Sequence, residues 1–237
     1  MSNRLANIYN TFWTDLQVSI PRGNEIFPKD SPFRFDDTLL PDCIVVYSKI
    51  LFKRCNFRSS SGRRKIDILI DTKETFRILK GKKNSPDQYK FIKSTVKVNY
   101  LELKDDGKEG ELIESLHYDC DTEQSITHPI FHCQIDDSLI ANYPSSELPL
   151  AEPTLGEGLK RFKNVRIPTA NMDLLSVMLS IMADHYTEDD FCKVLDNHYR
   201  TKWCKNLPFF IHQQFLDGIK HRDNQSLRSH HWYVLGR

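Results

Sequence analysis

The chain has 237 residues, with 33 Lys/Arg against 32 Asp/Glu and a formal charge of +1. A hydrophobic share of 39% with 11% aromatic residues is enough for a packed core and argues against a disordered chain, and no apolar run approaches the roughly 18 to 20 residues of a membrane-spanning helix. The small net charge conceals two opposed blocks: Ser48 to Lys104 holds 16 Lys/Arg and 5 Asp/Glu, whereas Asp105 to Glu157 holds 1 Lys/Arg and 13 Asp/Glu. Such asymmetry points to a polyanion partner for the basic block, or to two surfaces that neutralise each other.

In chain order, Leu5, Ile8, Tyr9, Phe12, Trp13 and Leu16 fall on one face of a 3.6-residue period and predict an N-terminal helix. Pro21 and Gly23 end it, and Pro28, Pro32 and Pro41 mark an irregular stretch up to about residue 42. Residues 43–57, rich in β-branched and aromatic side chains, then read as a strand, with a turn at residues 59–62. A second strand follows, where Ile66, Ile68 and Ile70 alternate with Asp67, Leu69 and Asp71. Residues 72–90 read as a Lys-rich connection with a short helix or strand around Phe76, residues 91–104 alternate again, and residues 105–111 read as a turn. Residues 112–121 and 128–136 complete a hairpin, so the economical arrangement is an antiparallel sheet of about five strands, because the connections are too short for βαβ crossovers.

Pro144, Pro149 and Pro153 define a polar linker over residues 142–157. Beyond it, Asn171 can cap a helix burying Leu174, Leu175, Met178, Leu179 and Met182, a second helix starts at Thr187, and a third starts at Pro208. The expected class is therefore α+β: an N-terminal helix, the antiparallel sheet, and a helical C-terminal third. Residues 1–141 would hold the helix and sheet, and residues 158–237 a helical region packed on that sheet as one domain. The N-terminus shows no signal-peptide core, and the six cysteines (Cys43, Cys55, Cys120, Cys133, Cys192 and Cys204) are scattered without a CxxC pair. These features point to reduced thiols, a cytoplasmic location and no membrane partner.

Three groups of residues can carry chemistry. On the hairpin, alternation puts Leu116, Tyr118 and Cys120 with Phe131, Cys133 and Ile135 on a core face, and His117 and Asp119 with His128 and His132 on the other. If Asp121 pairs with His128, His117 stands opposite His132. Imidazoles and a carboxylate on one polar surface suit a divalent metal, or metal-free acid–base catalysis near neutral pH; alternatively they are ordinary polar residues of a sheet. So His117, Asp119, His128 and His132 are candidate catalytic residues and candidate metal ligands.

The second group is Asp67 or Asp71 followed by the run Leu101, Glu102, Leu103, Lys104, which over residues 63–104 resembles the core of the PD-(D/E)xK nucleases. The resemblance implies that one of the aspartates and Glu102 ligate a divalent metal and that Lys104 orients the nucleophile. The helix that family places next is absent, because residues 105–111 read as a turn.

The third group is basic. Lys53, Arg54, Arg58, Arg63, Arg64 and Lys65 gather around one turn and Lys80, Lys82 and Lys83 around another, interleaved with aromatic residues. Such loops can grip phosphates and stack bases, or can simply form a solvated edge that discourages aggregation. No Walker motif, nucleophile-elbow serine, HExxH or GxGxxG occurs, so nucleotide-cofactor chemistry has no support. Two functions remain: a nucleic-acid-associated protein, including a metal-assisted nuclease or phosphodiesterase that uses the His/Asp face, or a non-enzymatic module docking a protein partner as an antitoxin, immunity protein or accessory subunit would.

Overall fold

Alternating apolar residues in three long segments build the centre of the molecule. The computed structural model describes residues 3–59, 62–81, 88–103, 109–121, 131–135, 152–155, 166–168 and 173–186. Helix α1 (Asn3–Ser19) leads into two short strands, β1 (Glu25–Phe27) and β2 (Phe33–Asp36). The long strands β3 (Cys43–Ser59), β4 (Gly62–Leu79) and β5 (Gln88–Leu103) form a continuous antiparallel meander with β6 (Glu109–Asp121). Then come β7 (Phe131–Ile135), β8 (Glu152–Leu155), β9 (Arg166–Pro168) and helix α2 (Leu174–His185).

All nine described strands belong to one sheet, in the order β1-β3-β4-β5-β6-β7-β9, with β2 also pairing with β3 and β8 with β6. The β6–β8 pairing is parallel and the others are antiparallel. The register slips at Phe52/Cys55, Thr75/Phe76 and Tyr100/Leu101. Such bulges increase strand twist, which lets strands of this length curve around the helices.

One face of the sheet carries Ile44, Val46, Ile50 and Phe52 from β3, Ile66, Ile68, Ile70 and Phe76 from β4, and Val96 and Val98 from β5. Both helices pack there, α1 through Leu5, Tyr9, Phe12, Trp13 and Leu16, and α2 through Leu174, Val177, Met178, Ile181 and Met182. Burial of each such large side chain is worth roughly 1.5 to 3 kcal/mol, far above the intrinsic helix propensity of either segment. Polar contacts pin α2 at both ends: the Leu174 N–H donates to Glu74 Oε1 at 3.0 Å, and His185 Nδ1 lies 2.7 Å from the Asn56 carbonyl oxygen. Asp173 precedes the helix, and its carbonyl accepts the Val177 N–H at 2.9 Å. None of the described helices is long and apolar enough to cross a membrane.

The opposite face changes character along its length. Leu51, Leu69, Leu101 and Leu112 are fully buried toward the end where β3 turns into β4. Within that zone the Ser115 hydroxyl donates to Asn99 Oδ1 at 2.8 Å, a cross-strand pair that satisfies buried polar atoms. Toward the β4–β5 turn the same face carries exposed Lys73, Lys90 and Lys93 beside the buried Val45 and Cys43.

The class differs from the expected α+β arrangement. The described residues are dominated by one antiparallel sheet of nine strands rather than about five, with two helices, and no helical C-terminal third is seen among them. Residues 72–79, read as a connection, extend β4, because Phe76 and Ile78 continue its alternation. Strands β1 and β2 lie in the stretch read as irregular, β8 in the segment read as linker, and β9 in the segment read as helical. Strands of three or four residues are too short to show a period of two, so pairing partners rather than local pattern decide them. The helices expected from Thr187 and Pro208 lie outside the described residues.

Candidate functional site

Strands β6 and β7 keep the faces expected from alternation but not the register. Asp119 stands opposite His132, and His117 opposite Gln134. The pairing is therefore displaced by two residues from the one that opposes His117 to His132, a shift that preserves which residues share a face. Leu116 and Tyr118 turn toward the helix-covered core. On the other side, His117 Nε2 lies 3.2 Å from Asp119 Oδ1, which also accepts the Thr95 hydroxyl at 2.9 Å. His117 and Asp119 are thus brought together, and His132 is placed by register beside Asp119, while His128 lies outside the described residues. Among the described residues no three His, Cys, Asp or Glu side chains converge as a metal site. Burial pushes the Cys133 thiol up to about 11 against the weaker effect of the Tyr118 hydrogen bond, so the protonated thiol is favoured near neutral pH.

The nuclease-like arrangement is not formed. Asp67 pairs with Leu101 and Ile66 with Glu102, so Asp67 and Glu102 leave the sheet on opposite faces, and Asp71 lies opposite Lys97, five positions further along. Lys104 is outside the described residues. Asp67 instead pins the β3 bulge: its Oδ1 accepts the Arg54 N–H at 2.9 Å, where Arg54 adopts a left-handed φ of 60°. Asp67 is 1% exposed, and its Oδ2 has no hydrogen-bond partner among the described residues. Burial pushes this carboxyl above its ordinary range, opposed by the Arg54 N–H and by the Lys53 and Arg54 charges.

The basic residues singled out by sequence divide between two ends of the sheet. Lys53, opposite Glu25, and Arg54 stand at the base of the β3–β4 hairpin. Beyond them Arg58 is opposite Arg63, Arg64 is opposite Phe57, and Lys65 donates to Asn56 Oδ1 at 2.7 Å. Lys80 is at the far end of β4, 3.4 Å from Asp42 in an exposed ion pair, and Lys82 and Lys83 lie outside the described residues. At about 3.3 Å per residue the 18 residues of β4 separate the two turns by on the order of 50 Å, so they do not form one patch.

A different basic surface lies between them. Lys49, Lys73, Arg77, Lys90, Lys93 and Lys97 all occupy positions on the face turned away from α1 and α2. None of the helix-facing positions within residues 44–52, 66–78 and 91–100 holds Lys or Arg. Arg34 of β2 joins them opposite Tyr47. Among the described residues, seven basic positions in this part of the face outnumber four acidic ones (Asp36, Asp71, Asp119 and Asp121). Ion pairs interleave the charges, with Lys49 3.9 Å from Asp71 and Arg34 3.9 Å from Asp36. His117 adjoins this surface as the direct cross-strand neighbour of Lys97. The signal for it was present in the sequence, in the period-two spacing of Lys73, Thr75 and Arg77, but clusters of adjacent charges in turns obscured it. Comparison with protein-family models, with curated proteins and with solved structures found no match.

Proposed function

We propose that this protein binds nucleic acid through the basic part of the sheet face turned away from α1 and α2. One observation carries the reading: within residues 44–52, 66–78 and 91–100, every Lys and Arg lies on the same face, the one turned away from α1 and α2, where bases outnumber acids among the described residues. Alternation accounts for polar residues on that side, but it does not account for their sign. A surplus of cations spread over several strands offers separate phosphates separate partners, and binding of that kind releases counterions. The ion pairs on this face are exposed enough to exchange carboxylate partners for phosphate oxygens at little cost.

The test is fluorescence anisotropy with labelled single-stranded RNA, single-stranded DNA and duplex DNA at low and moderate salt. Binding should weaken steeply with salt, and the double variant Lys73→Glu/Lys93→Glu should flatten the log–log salt slope by roughly one to two. Absence of salt-sensitive binding to any of the three by the folded protein would refute the reading. Including Mn²⁺ or EDTA in parallel samples, with denaturing gels, reports whether the His117–Asp119 pair adds cleavage to binding.

A further inference from the structure

We infer that Tyr47 makes this face a platform for single-stranded nucleic acid, with a base stacked on its ring and the flanking phosphates held by Arg34, Lys73, Lys93 and Lys97. The inference rests on the nucleic-acid reading above and names the ligand class of that same surface.

Tyr47 is out of keeping with its surroundings. The described aromatic side chains of β2, β4 and β5 (Phe33, Phe35, Phe76, Tyr89, Phe91 and Tyr100) all join the helix-covered core, and so does Phe52 of Tyr47's own strand. Tyr47 lies instead on the other face and is partly exposed, opposite Arg34 on one side and Lys73 on the other. Arg34 Cζ and Lys73 Nζ each stand 5.7 Å from the centre of its ring. The row continues across the sheet through Thr95 and Asp119, and Lys93 and Lys97 flank Thr95 along β5. With strands about 4.8 Å apart, those two lysines are about 10 Å or slightly more from Tyr47. An aromatic ring thus sits among cations on both sides.

The physical chemistry favours one class of ligand. A base has two π-faces that stack on an aromatic ring, but inside a duplex both are occupied by neighbouring base pairs. A sheet surface of this kind presents a ring to splayed bases, and none of the described elements projects from it as a groove-reading helix would. Arg34 and Lys73, on the strands either side of Tyr47, are placed to contact the sugar–phosphate chain on either side of a stacked base.

The experiment compares the full chain and its variants for binding of a labelled oligo(dT), a duplex of equal length, and heparin, at one salt concentration. The wild type should prefer oligo(dT) to the duplex. Tyr47→Ala and Tyr47→Leu should weaken oligo(dT) binding by about 5- to 100-fold while leaving heparin binding unchanged, and Tyr47→Phe and Tyr47→Trp should restore it. The indole introduced by Tyr47→Trp should in addition have its fluorescence quenched as oligo(dT) is added. Leucine keeps apolar bulk on the strand, so it serves if alanine impairs folding. If Tyr47→Leu binds oligo(dT) as the wild type does and Lys73→Glu/Lys93→Glu does not, the stacking inference falls and the nucleic-acid reading stands. If folded wild-type protein binds none of the three polyanions, the nucleic-acid reading itself falls.

Discussion

Glu74 ties the stability of the fold to pH. It is 1% exposed, at a core-facing position of β4, and joins three elements. The Tyr9 hydroxyl of α1 donates to its Oε2 at 2.5 Å, and the Leu174 N–H at the start of α2 donates to its Oε1 at 3.0 Å. Burial, and next the charge of Asp173, raise its carboxyl to about 7 from an ordinary 4.5, although the Leu174 and Tyr9 hydrogen bonds oppose the shift. The native state therefore holds a proton that the unfolded chain releases between those values. Stability from this group is fully present below about pH 4.5 and is lost as pH rises through 7. At about 1.4 kcal/mol per unit, the loss is on the order of 3 kcal/mol, an upper bound because the shift also depends on the neighbouring Asp173 charge.

Glu74→Gln removes the charge, keeps an acceptor for Leu174, and lets the Tyr9 hydroxyl accept from the amide. Urea unfolding should give the variant and the wild type similar stability near pH 5 and leave the variant more stable near pH 8, by roughly 1 to 3 kcal/mol. Because the other titrating groups are common to both proteins, their difference isolates Glu74. Glu74→Ala leaves the Tyr9 hydroxyl and the Leu174 N–H without this partner and should cost roughly 2 to 5 kcal/mol at either pH. Parallel pH profiles for the wild type and Glu74→Gln would refute the argument.

Two further changes test the β3 bulge. Asp67→Asn keeps an acceptor for the Arg54 N–H while removing a carboxylate that burial disfavours, so it should stabilise the protein near neutral pH by roughly 1 kcal/mol in urea unfolding. Because the folded carboxyl is raised, the wild-type stability this group supplies at acid pH is lost as pH rises through that raised value, and a destabilised Asp67→Asn protein would contradict the reasoning. Arg54→Gly relieves a non-glycine residue at φ 60° and should raise the unfolding midpoint, by a gain of about 0.5 to 1 kcal/mol; a lower midpoint would mean that the arginine side chain itself supports the bulge.

Much of the site's framework was legible in the sequence, for reasons that differ by element. The apolar stripe of α1 could be read because a helix exposes its period over several turns, and the same residues are buried. The sharing of a face by His117, Asp119 and His132 could be read because alternation survives a two-residue slip. Their mutual register could not, since β6 takes its alignment from β5 and β8 as well as from β7. The basic block was visible as a count, but counting along the chain joined charges that an 18-residue strand holds far apart and overlooked those that three neighbouring strands align.

The sequence by itself determined the periodic elements and which side of each strand is apolar, because steric alternation and hydrophobic burial act within a few residues. Only the tertiary structure decided that strands as short as β8 and β9 join the sheet, that Tyr47 emerges among cations from three strands, and that Glu74 meets partners 65 and 100 residues away. Those outcomes depend on pairing energies between distant segments, which no local pattern of residues encodes.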